Sequence, residues 1–164
     1  MKQILIICIF SSTIVTILGC DNQTADSPPT VRLDDSVCDQ CNMIISDERW
    51  ATATVIDGDR GPEPRLFDDF NCQVNYEIEH PEIKIVARWS HSHATSAWIR
   101  TEDAQFLISP ALRAPMGSHV AAFGSDGEAE SAKSELGGDV VSFETAWTHM
   151  GSADAPEKET HDAP

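Results

Sequence analysis

Residues 38–43, Cys-Asp-Gln-Cys-Asn-Met, place three sulfur side chains within six positions. A disulfide would engage two of them and leave the methionine idle, whereas a soft metal ion can use all three. A thioether is a poor ligand for zinc and a good one for Cu(I), which prefers soft donors. In an extended segment Cys41 and Met43 project to the same side, because side chains alternate with a period of two. A second methionine, Met116, lies in the loop-like stretch Ala-Pro-Met-Gly-Ser-His, and His119 follows three residues later as a candidate nitrogen donor. The residue types therefore point to a soft-metal site built on Cys41, Met43 and Met116, with Cys38 and His119 as completing ligands.

Each of these residues has a plainer reading. Met43 precedes Ile44 and Ile45 and is equally suited to a core, and His119 to a strand end. Cys38-x-x-Cys41 alone also fits a thiol–disulfide oxidoreductase, or a zinc-stabilised or mercury-handling module. Structural zinc, however, requires four Cys or His ligands, and no second such pair follows. Cys72 falls inside a predicted helix and is expected to be a buried, inert thiol. His91 and His93 face one side of a predicted strand end, suited to a metal or to a loop. His149 and Met150 lie beside an unpatterned tail and are left out of the site.

The leader sets the compartment. Lys2 and the apolar run Ile4–Leu18 end in Ile-Leu-Gly-Cys, which resembles a bacterial lipobox, with Cys20 as the lipidated first mature residue. A diacylglycerol thioether with an N-acyl chain suffices for stable anchoring. Asp21 resembles an inner-membrane retention signal. The expected organisation is a signal peptide over 1–19, a lipid-anchored polar tether over 20–36, one domain over 37–150 and an acidic disordered tail over 151–164. The domain then lies at the periplasmic face of a bacterial inner membrane, where disulfides are permitted. Three cysteines remain there, Cys38, Cys41 and Cys72, and an odd number argues against a pure disulfide framework.

The chain carries 11 Lys+Arg against 27 Asp+Glu. Removal of the leader takes away only Lys2, so the mature charge is 10 − 27 = −17 with histidine neutral. Nucleic acid and anionic lipid surfaces repel such a chain, and a nucleic-acid partner is excluded. No Ser/His/Asp arrangement or phosphate-cradling glycine loop occurs, so the chain is not read as an enzyme.

The site residues need a scaffold, and the periodicity supplies one. Residues 50–57 read as a strand ending at a turn, Pro62 and Pro64 as loop punctuation, and residues 64–69 as a returning strand. Residues 68–80 read as a helix capped by Asp68 or Asp69 and stopped before Pro81. Residues 83–90 form the next strand. The second half repeats the outline, with residues 96–109 mixing a strand with a short helix, a strand near 119–124, a helix over 126–136 stopped by Gly137-Gly138, and a closing strand at 139–143. The class is α+β, two related ββαβ-like units in one small domain.

In order along the chain, the lipobox, Cys-Asp-Gln-Cys-Asn-Met, Phe67-Asp68-Asp69, Pro115-Met116-Gly117 and Ala121-Ala122-Phe123 resemble NosL, the nitrous-oxide reductase accessory lipoproteins. The resemblance spans residues 37–143. It implies a membrane-tethered periplasmic Cu(I) chaperone that serves nitrous oxide reductase, directly or through a membrane-bound maturation transporter. It also implies two related ββαβ units. Cys41-Asn42-Met43 matches the family's Cys-x-Met element and Met116 its second methionine. Asn42 stands where glycine is usual, and Cys38 is not shared throughout the family. Asparagine is among the few residues that tolerate left-handed backbone angles.

Overall fold

The computed structural model describes residues 27–153. The leader, Cys20 and residues 154–164 lie outside that range, so the lipobox, the first part of the tether and most of the tail are not seen. From Arg32 onward the expected tether is already fixed to the domain. Asp34 N–H donates to the Ile45 carbonyl at 2.9 Å, and Ile45 N–H to Ser36 at 2.9 Å.

The first unit begins with strand β1 (Thr52–Gly58), hairpinned to β2 (Gly61–Phe67), followed by helix α1 (Phe70–Glu79), β3 (Ile85–His91) and the short β4 (Trp98–Arg100). All pairings are antiparallel in the order β2-β1-β3-β4. Pro62 and Pro64 sit within β2 opposite Asp57 and Val55, not in the loop. An edge strand admits them because the N–H groups they lack would face outward. Thr52 through Ile56 of the central β1 are all buried. Ala53 and Val55 pack with Ala87 and Trp89 on one face. On the other, Thr54 donates to Glu77 of α1 at 2.6 Å and Gln73 donates to Thr54 at 3.0 Å.

The second unit repeats this plan with β5 (Gln105–Ile108), β6 (Val120–Phe123), helix α2 (Asp126–Leu136) and β7 (Asp139–Ser142), in the sheet order β6-β5-β7. In both units the first strand is central, flanked by its hairpin partner and by the strand that follows the helix. The duplication expected from the sequence is thus a duplication of topology. The helix caps differ. Asp69 caps α1, whereas in the second unit Ser125, not an aspartate, caps α2 by accepting from Glu128 N–H. Glu128 in turn accepts from the N–H of Gly124, the residue before the cap, at 2.9 Å. Gly138 (φ +93°) is obligatory at the end of α2, since a Cβ there would lie 2.2 Å from the Ile108 carbonyl oxygen.

The second sheet is covered on both faces. Leu107, Ala121 and Phe123 meet Ala129 of α2. Phe106, Val120 and Ala122 face Phe70 and Val74 of α1 and Ala146 and Met150 of a third helix. That helix, α3 (Phe143–Ala153), was not expected, and Met150 is core rather than a neighbour of a loose tail. Phe143, Ala146, Trp147 and Met150 fall at helical spacing, a signal obscured by the polar residues between them. Gly151 lets α3 lie close on α1, since a Cβ there would approach Ile78 to 3.1 Å. Helix α1 therefore belongs to both units, and its first turn faces the cysteines.

Candidate metal centre

A tight reversal over residues 36–45 carries the first two cysteines. Val37 pairs with Ile44 in an isolated antiparallel bridge, Cys38 N–H donates to Met43 at 2.8 Å, and Asn42 N–H donates to Cys38 at 3.0 Å. Asp39 clamps this loop to the end of β2: its N–H donates to Leu66 at 2.8 Å, and its carboxylate accepts from Leu66 N–H at 2.6 Å. Asn42 takes φ +61°, the left-handed conformation that asparagine tolerates and glycine prefers. The stretch is therefore a turn, and the period-two argument for aligning Cys41 with Met43 does not apply.

The third thiol comes from α1. Asp69 caps the helix by accepting from Phe70 N–H at 2.7 Å, and Cys72 sits in the first turn. Cys72 packs with Cys38 and Phe67, the Cys41 and Tyr76 side chains closing the same cluster. The thiol sulfurs of Cys38, Cys41 and Cys72 all lie within 4.8 Å of one another. All three cysteines are free. Cys38 is 0% and Cys72 4% exposed, while Cys41 is partly exposed. Cys72 is buried, as expected from its helical position, and it lies beside the two other thiols. Its place in the first turn after the cap, with two other cysteines lacking a partner, was the available signal.

The three thiols differ electrostatically. Cys38 is pulled down to about 5 by a hydrogen bond from the Cys72 thiol, with further donation from the backbone N–H groups of Cys41, Asp68 and Gln40 outweighing burial. Such converging backbone donors make a nest for a thiolate. Cys72 is pushed far up, first by donating to Cys38 and then by burial. Cys41 is raised, chiefly by burial and further by the negative Cys38 beside it. The cluster thus favours negative charge on Cys38 over Cys41 and Cys72. Asp68 adjoins it, 4% exposed, with Oδ1 lacking any partner. Burial first, and then the Cys38 charge, raise its carboxyl to about 6.

Met43 and Met116 stand at the surface, 57% and 41% exposed. The Met116 loop is tied to the start of α1: Met116 N–H and Ser118 N–H donate to Asp69 Oδ2 at 3.0 and 3.3 Å, and Asn71 Nδ2 donates to the Met116 carbonyl at 3.2 Å. Asp69 is therefore both helix cap and loop tether. His119 is not brought into the cluster. Its Nδ1 lies 2.9 Å from the Leu112 carbonyl, and the group gathered among the described residues contains cysteines only. His91 is buried, bonded to Ala51 and stacked on Trp98, and His93 packs on Trp50 and Phe123. Neither belongs to the group of three thiols.

Three sulfur donors converging from two elements, with one open edge, can hold a soft ion of low coordination number. They do not make a four-ligand structural zinc site.

The family model described as NosL matches residues 30–150. Among solved structures, the crystal structure of the copper chaperone NosL from Shewanella denitrificans is similar, with a TM-score of 0.59 and 15% identity. The match covers 72% of this chain and 93% of that one. No curated protein matches the chain.

Proposed function

The chain belongs to the NosL family, and from that premise we propose that it binds copper as Cu(I) and hands it on, a chaperone rather than an enzyme. The observation that carries this reading is the group of three free thiols within 4.8 Å, of which Cys41 is partly exposed. Thiolates give a soft cation its affinity, and neutral thioethers at the rim give it an exit. Low coordination number leaves room for the ligand of an accepting protein. Cys41 and Cys72 hold protons at rest, so loading releases them and affinity falls as pH falls.

The acceptor we assign is nitrous oxide reductase or its membrane-bound maturation transporter. The Ile-Leu-Gly-Cys sequence at residues 17–20 supports lipidation of Cys20 and a tether at the periplasmic face of the inner membrane. An oxidoreductase reading fits the site poorly. Its nucleophile would be the lowered thiol, Cys38, which is 0% exposed, while the accessible Cys41 is the raised one.

The test has two arms. Anaerobic titration of the reduced chain against a chromophoric chelator should show tight Cu(I) uptake that is lost in Cys41→Ser. In cells lacking the gene, nitrous oxide reductase should be made but copper-poor, and wild type but not Cys41→Ser should restore it. A fully metallated reductase in the deleted cells would refute the assigned destination. Absence of Cu(I) uptake would refute the copper reading.

A further inference from the structure

Cys38 and Cys41 lie one turn apart on the same loop. Residues 39–41 form the turn, and Asn42 N–H closes it by donating to the Cys38 carbonyl at 3.0 Å. Residues at the two ends of such a turn bring their Cα atoms within about 7 Å, which is the reach of a disulfide. Cys72, by contrast, belongs to another element, α1. The three sulfurs lie within 4.8 Å of one another, and all are free. We propose that Cys38 and Cys41 form a redox modification site, whose reversible disulfide shuts the metal centre. This is regulation of the site already described, and it rests on the copper reading.

Exposure sets the order of attack. Cys41 is partly exposed, whereas Cys38 is 0% and Cys72 4% exposed, so an oxidant from solvent meets Cys41 first. The Cys41 thiolate attacks one sulfur of a low-molecular-weight disulfide; a mixed disulfide forms at Cys41 and one thiolate leaves. Cys38 then attacks the Cys41 sulfur and expels the second thiolate. The two cysteines lose two electrons, the incoming disulfide gains them and becomes two thiols, and the two cysteine protons end on those thiols. Asp39 holds the turn to β2 through its bonds with Leu66, at 2.8 and 2.6 Å. Closure therefore asks for rotation of the Cys41 side chain rather than movement of the backbone.

Closure and metal binding compete for the same sulfurs. The disulfide removes two of the three thiols and leaves Cys72 alone behind the surface, too few donors to hold a soft ion. A bound ion, in turn, occupies Cys41 and blocks the first attack, so only the metal-free fraction closes. The reverse step is open as well. A thiolate from solvent attacks the exposed Cys41 sulfur, and Cys38 leaves into the backbone N–H groups of Gln40, Cys41 and Asp68 directed at it. The bond is a reversible latch rather than a structural cross-link. Nor does the chain turn over as an oxidoreductase, because the thiol that remains after closure is buried.

The reduced full-length chain, metal-free or loaded anaerobically with one equivalent of Cu(I), is treated with oxidised glutathione. The reaction is quenched in acid, and the thiols are alkylated after removal of copper for peptide mapping. We expect a disulfide between Cys38 and Cys41 in the metal-free chain, loss of its Cu(I) uptake against a chromophoric chelator, and recovery of uptake on reduction. The loaded chain should keep both thiols free for alkylation. In Cys38→Ser the reaction should stop at a glutathione adduct on Cys41. In the wild type, a bond that includes Cys72, no bond at all, or undiminished uptake by the oxidised chain overturns the latch and leaves the copper reading standing, whether or not the variant folds. Equal closure of the loaded and metal-free chains overturns the competition. No uptake of Cu(I) by the reduced wild type overturns the copper reading and the gate with it.

Discussion

Asp69 should be the residue on which the site's architecture most depends. It is fully buried, and its carboxylate accepts from three backbone donors in two segments: Phe70 at 2.7 Å, Met116 at 3.0 Å and Ser118 at 3.3 Å. Asp69→Ala removes a helix cap, for which about 1 kcal/mol is usual. It also removes two charge-assisted bonds of about 1.5–3 kcal/mol each. Against that loss, burial raises the carboxyl's pKa, so keeping it ionised inside the protein already has a cost that the alanine removes. A net destabilisation of roughly 2–4 kcal/mol follows. Asp69→Ser separates the two roles, because serine can cap α1 but cannot reach the Met116 loop. Urea denaturation of the reduced apo protein should rank wild type above Asp69→Ser above Asp69→Ala. In Asp69→Ser, hydrogen exchange should quicken at the Met116 and Ser118 amides while the helix amides stay protected. A cost below about 0.5 kcal/mol for the alanine variant, or full restoration by serine, would show that the carboxylate does not join the loop to the helix.

Other perturbations test neighbouring parts of the argument. Arg88 bonds Glu77 at 2.7 Å and Glu102 at 3.0 Å, so Arg88→Ala strands the buried Glu77 carboxylate and should cost about 3–5 kcal/mol in chemical denaturation. Adding Glu77→Gln should recover part of that loss; no recovery would mean that packing of the arginine stem, not charge, was at stake. Met150→Ala opens a cavity beneath α3 and should lower stability by about 2–5 kcal/mol, whereas an unchanged urea midpoint would mean that α3 is not part of the core. Asp68, raised to about 6, pays a burial penalty that is fully present above that pH and vanishes as the pH falls toward the unfolded value near 4. Asp68→Asn should therefore be more stable than wild type by about 1–3 kcal/mol at pH 8 and indistinguishable at pH 4; an equal difference at both would remove ionisation as the cause.

What could be read in the sequence was local. The Gly137-Gly138 stop, the stop before Pro81 and the strand alternation located the elements, because turn chemistry and periodicity act over a few residues, whereas Pro62 and Pro64, read as loop, lie in β2. Two ββαβ units emerged from that order alone, and Asn42 was read as a residue able to take a left-handed angle. Helix α3 escaped because its four apolar residues are interleaved with polar ones, and only α1 and the second sheet reveal which face is buried.

The site divides in the same way. The sequence determined that soft donors cluster at Cys38, Cys41 and Met43, because they are neighbours in the chain. It could not determine what approaches them across 31 residues and a hairpin. Tertiary structure decided that Cys72 joins the thiols, since the cap at Asp69 sets the first turn of α1 against the Cys38 loop. It likewise left His119 out of the group of three thiols. Donor chemistry is a property of residue types, whereas convergence depends on which elements pack together, and packing is settled only when the whole chain has buried its apolar faces.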